Sequence, residues 1–106
     1  MRKIEQVMNF YVQYSLNGKY DNTEVKYDAE ADVSEVYLHG NLIAKIGDSW
    51  MQLFDGGHQT KTTKSRLNAL LTAHGCPGEH VFQKDFKWFL NMQGGPVPFF
   101  SGMRLN

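Results

Sequence analysis

The stretch SEVYLHGNLIAKIGDSWMQLFDGG, residues 34–57, constrains the fold more than any other part of the chain. Gly40-Asn41 and Gly47-Asp48 each stand between runs of β-favouring residues, and a short Gly-led pair in that setting signals a tight hairpin. Reading both as two-residue turns places Tyr37 opposite Ala44, Ala44 opposite Met51, and Leu42 opposite both His39 and Leu53. One face then carries Tyr37, Leu42, Ala44, Ile46, Met51 and Leu53, a coherent core face. The other carries Val36, Leu38, Ile43, Lys45, Trp50, Gln52 and Phe54, which is mixed. A slip of one residue would exchange the two faces.

The flanking segments read differently. Ile4, Val7, Met8, Tyr11 and Val12 recur at helical spacing, which predicts an amphipathic helix over about residues 3–15. Gly18 and Asn22 interrupt it, and TEVKYD (23–28) suits a short strand. Leu67, Leu70, Leu71 and His74, extended by Thr63, form a stripe that predicts a helix from about 62 to 74, stopped by Gly75 and Pro77. EHVFQKDFKWFLNM is open between a helix and a hairpin around Lys84-Asp85-Phe86; β-branched and aromatic content favours the hairpin. The Gly/Pro-rich tail is expected to be pinned by Phe99 and Phe100. Together these give one α+β domain over 1–106: an antiparallel β-meander of 3–5 strands, one central helix packed on it, and an amphipathic N-terminal helix.

Charge narrows the function classes. The formal net charge is zero, which argues against holding nucleic acid by bulk positive charge alone. The charges are unevenly spread, however. Asp21, Glu24, Asp28, Glu30, Asp32 and Glu35 crowd one stretch, while 56–78 carries Lys61, Lys64 and Arg66 with no acid. A helix start carries partial positive charge, so cations in its first turns are unexpected. The plain reading is a Thr-capped helix whose basic residues face solvent. The sharper reading is an anion or partner site formed by Thr60, Lys61, Thr62, Thr63, Lys64 and Arg66, where free N–H groups, hydroxyls and cations converge. It is not a P-loop, because no second Gly precedes Lys61. Asp28, Glu30, Asp32 and Glu35 read either as a solvated turn or as an acidic contact surface for a basic partner. They do not match a calcium loop, whose sixth and twelfth positions would fall on Val33 and His39.

Other chemistry finds little footing. His74, Cys76 and His80 lack the spacing and the fourth ligand of a zinc site. No G-x-S-x-G occurs, the single cysteine stands in no nucleophile setting, and His39 has no identifiable partner, so no catalytic residue and no cofactor is assigned. Trp50 opposite Lys45 reads as a surface cation–aromatic pair. An RNA-binding sheet would show several exposed aromatics on neighbouring strands, and Trp50 with Phe54 is a thin version of that. No signal peptide and no membrane span is expected, which leaves a soluble cytoplasmic protein.

LHGNLIAKIG followed by TKTTKSRLNALL resembles a pattern in small accessory proteins of tailed bacteriophages, which join a GN-x-IA hairpin to a TxTT[KR]xRLN helix start. The similarity covers roughly residues 22–74, and more loosely KWFLNM and FFSGM. The resemblance implies a non-enzymatic protein acting in the host cytoplasm that binds a host or phage macromolecule. Host takeover or anti-defence action, through inhibition of a host nucleic-acid-handling or defence complex, would be one instance. The alternative is direct binding of a nucleic-acid phosphate backbone through Lys61, Lys64 and Arg66.

Overall fold

Helical spacing of Ile4, Met8 and Val12 produces α1 (Lys3–Gln13), which buries Met8 and Val12. Five strands follow in a meander: β1 (Gly18–Tyr20), β2 (Thr23–Asp28), β3 (Val33–Leu38), β4 (Asn41–Ile46) and β5 (Met51–Leu53). Helix α2 (Lys61–His74) comes next, then β6 (His80–Lys84), β7 (Lys87–Met92), β8 (Gly95–Pro98) and β9 (Met103–Leu105). This computed structural model describes residues 1–106. The fold is α+β, as expected, but its strands form two antiparallel sheets rather than one. The first runs β1-β2-β3-β4-β5-β9, and the second runs β6-β7-β8.

The hairpin alternative holds for residues 80–91, with Phe82 opposite Phe89 and Lys84 opposite Lys87. The tail supplies β8 and β9. Phe99 is buried edge-on against Trp88, with ring centroids 5.4 Å apart, whereas Phe100 is exposed and pins nothing.

The central turns differ in detail from the literal reading. The β3–β4 turn uses His39-Gly40, with φ of 51° and 79°, and Leu38 pairs with Asn41. Two successive positive φ values match the twist of a tight hairpin, and Gly tolerates the second at no steric cost. A register shift follows, because Val36 pairs with Ala44 while Tyr37 pairs with Leu42. Ile43 is the extra residue, so it and Ala44 are both buried. This bulge reverses the expected faces of β3: Val36 and Leu38 point into the core, and Tyr37 and Leu42 do not. The β4–β5 loop has four residues, 47–50, closed by Gly47 N–H donating to Trp50 O at 2.9 Å. Ala44, Ile46, Met51 and Leu53 still share one side, with Ala44 opposite Leu53 and Ile46 opposite Met51.

Helix α2 packs against α1, β4 and β6, and so links the two sheets. Leu67, Leu70 and Leu71 are fully buried in a cluster that also holds Val36 and Leu53 of the first sheet and Val81, Trp88 and Leu90 of the second. The Asn68 carboxamide binds both backbone groups of Val81: it donates to Val81 O at 2.9 Å and accepts from Val81 N–H at 2.6 Å. It therefore substitutes for a neighbouring strand at the free edge of β6.

Candidate functional site

The start of α2 answers the question its cations raise. Thr60 is the N-cap, and its Oγ1 accepts from Thr63 N–H at 3.1 Å. The Thr63 side chain is buried and lies 3.0 Å from Thr60 Oγ1. Those two hydroxyls are thus used within the helix start itself.

Arg66 is the clearest departure from the expected anion set. It is 3% exposed, and each nitrogen of its guanidinium donates a hydrogen bond inside the protein. Nη1 donates to Glu5 Oε2 at 3.0 Å, Nε to Thr23 Oγ1 at 3.0 Å, and Nη2 to Asn22 Oδ1 at 3.3 Å. Glu5, itself buried, also accepts from Ser65 Oγ at 2.5 Å. Arg66 is therefore a structural cation tying α2 to α1 and to the start of β2. Its signal was present in the chain: Thr63, Arg66 and Leu70 share one helical face, as do Glu5, Met8 and Val12. An acid on one apolar stripe and a base on another mark a buried pair.

What stays open at this end is Lys61, exposed, and Lys64, partly exposed. Thr60, Thr62 and Thr63 line a recess of about 240 Å³ that also brings in His39, Asp55 and His58. The lysines do not line that recess. The structure thus separates the hydroxyls of the expected site from its cations.

The acidic residues occupy the β2–β3 turn. Asp28, Glu30 and Asp32 are exposed there, and Asp28 Oδ1 accepts the backbone N–H groups of Glu30 and Ala31. The Tyr27 hydroxyl donates to Asp32 at 2.5 Å, and that hydrogen bond holds its pKa above the usual phenol value. Glu35 stands apart on the strand, opposite Lys26 and Lys45. Beside it, burial and a hydrogen bond to Glu35 raise the Tyr37 pKa. The cation facing Trp50 is Arg104, at 4.3 Å from the ring, rather than Lys45. His74, Cys76 and His80 do not gather into a ligand cluster. His74 turns inward and burial lowers its pKa, Cys76 is an exposed free thiol, and the His80 ring lies tilted beside Phe82.

Sequence reasoning gave no role to the β6–β7 hairpin, yet its tip is the most unusual surface of the protein. Phe86 is 94% exposed and sits at φ 65°, next to Asp85 at φ 52°. A bulky residue at positive φ is disfavoured, and the second place of such a turn normally goes to Gly. Strand alternation then puts His80, Phe82, Lys84, Lys87 and Phe89 on one side of the hairpin, with Val81, Trp88 and Leu90 buried on the other. Phe82 and Phe89 stack at 5.6 Å. A groove of about 370 Å³ runs between this tip and Gln59, the residue before the cap of α2.

A family model described as Kyanoviridae Gp96 protein matches residues 1–106. The chain belongs to that family. Family membership makes it a bacteriophage protein. No curated protein and no solved structure matches the chain. No helix of this family member is long and apolar enough to cross a membrane.

Proposed function

We propose that this phage protein acts by binding a macromolecule of the host or of the phage, and not by catalysis. The observation that carries this reading is Phe86, a large apolar side chain left in solvent at a disfavoured backbone angle. Exposing it gains nothing for the isolated fold, and the left-handed backbone costs about 1–2 kcal/mol. Residues held in such conformations concentrate at recognition sites. Aromatic side chains at the centre of a contact also supply much of its binding energy. Inhibition of a host nucleic-acid-handling or defence complex in the host cytoplasm is one form this activity would take.

The test is affinity capture from infected-host lysate with the wild-type chain and with Phe86→Gly. Retention of a stoichiometric partner by the wild type, and its loss with the variant, is the expected result. Identical catches from both proteins would remove the basis of the proposal.

A further inference from the structure

We propose that the outer face of the β6–β7 hairpin is a stacking platform for single-stranded nucleic acid. The inference rests on the binding reading above and names its partner class. Three features of the second sheet lead to it.

The first is the arrangement of rings. Phe82 and Phe89, both half-buried, form a stacked rung across neighbouring strands, His80 lies 5.5 Å from Phe82, and the exposed Phe86 projects from the tip beyond them. Aromatics on adjacent strands, open on one side, are what a sheet needs to stack unpaired bases.

The second is charge. Lys84 and Lys87 are exposed and directly opposite each other, between the aromatic rung and the tip. Neither takes part in an ion pair, since the protein's one salt bridge joins Arg66 to Glu5. Like charges facing across strands destabilise a hairpin, and a phosphate between them relieves the repulsion. The acid at this tip is Asp85, so the turn keeps a net positive charge. Lysines are depleted at the core of protein–protein contacts, which favours a phosphate-bearing partner over a protein.

The third is that the sheet offers its face and not its edges. Asn68 occupies the edge of β6 at Val81, and β8 carries Pro96 and Pro98. A peptide cannot readily add as a further strand at either side. A net charge of zero also leaves little to hold a duplex by its phosphates, whereas stacking supplies much of the affinity for a single strand.

The experiment is fluorescence anisotropy of a labelled oligothymidine, on the order of ten nucleotides long, titrated with the full chain. A duplex of the same length and an oligouridine serve as the comparison arms. Single strands are expected to bind, with the duplex at least tenfold weaker. The log–log salt slope should be about −1.4 for two phosphate contacts. Phe86→Gly should weaken binding by about 5- to 150-fold, the range for loss of one stacked base, while its Tm stays level or rises. Charge reversal at Lys84 and Lys87 together should flatten the salt slope. No single-strand binding at protein concentrations up to about 100 μM, the weak end of non-specific nucleic-acid binding, overturns the inference, as does equal binding of duplex or of Phe86→Gly. Protein capture that depends on Phe86 without any oligonucleotide binding would overturn this inference and leave the broader reading standing. Capture indifferent to Phe86, together with no oligonucleotide binding, would remove both.

Discussion

Replacing Arg66 by Met should unfold much of what holds α1 in place. Met fills a similar length of buried space but supplies none of the three donors that reach Glu5, Thr23 and Asn22. The Glu5 carboxylate would remain buried, with the Ser65 hydroxyl at 2.5 Å and a long contact from Arg2 N–H at 3.4 Å as its polar neighbours. Breaking a buried pair by removing one partner costs about 3–5 kcal/mol, because the surviving charge has nowhere to go. Thr23 and Asn22 soften the loss slightly, since the Thr23 hydroxyl already donates to Asn22 Oδ1 at 2.9 Å. A loss near the lower end, about 3 kcal/mol, is therefore expected. In a domain of this size it corresponds to a Tm decrease on the order of 12–24 °C. Urea unfolding followed by circular dichroism measures it directly. The companion experiment adds Glu5→Leu, which removes the stranded charge. Replacing both members of such a pair with apolar groups is often close to neutral. The double variant should thus regain at least about 2 kcal/mol, a coupling far above the scatter expected for independent sites. If Arg66→Met alone costs less than about 1 kcal/mol, or if the two substitutions simply add, the pair does not do what its geometry implies.

Further outcomes follow from other contacts. Asn68→Ala should cost about 1–3 kcal/mol by leaving the Val81 N–H unpaired, with faster hydrogen exchange at that amide; unchanged exchange would contradict the edge-closing role. Gly47→Ala should cost about 1–3 kcal/mol, because the added methyl overlaps the Trp50 indole; an unmoved Trp50 Nε1–H resonance in NMR would refute it. His74 gives a pH dependence. Its folded pKa lies below the usual value because burial penalises the charged ring. Below the unfolded value of about 6.5 the unfolded chain binds more protons, so stability falls as pH drops from there towards the folded pKa. Urea midpoints measured through this window should flatten in His74→Gln, and parallel curves for the two proteins would count against it.

Much of this architecture could be read from residue spacing. Both helices lie within two residues of their expected bounds, because their apolar stripes repeat cleanly and Gly75 ends the second. The β3 faces are not legible in the sequence, because Leu42 and Ile43 are both apolar and nothing in their chemistry shows which is the extra residue of a bulge. β9 was hidden for another reason. Its partner β5 lies some fifty residues upstream, and no local pattern encodes so distant a pairing. At the expected anion site the sequence displays the residue types, but not the direction of each side chain. Arg66 turns inward because Glu5 of another element awaits it, which the composition of 56–78 alone could not reveal. The exposure of the hairpin tip is not legible either, because an exposed Phe in a sequence looks like any core Phe.

The pairing of β9 with β5 also sets an order of events in time. Strands β1 to β5 each meet a neighbour in the chain, so their ladders close over short loops and can zip early. β9 reaches β5 only after α2 and the whole second sheet have been threaded between them. Its docking closes the longest span of any strand pairing in the molecule, at a corresponding cost in loop-closure entropy. Only three residues long, that strand carries Met103 and Leu105 into the core, so the β5 flank of the meander stays uncovered until it docks.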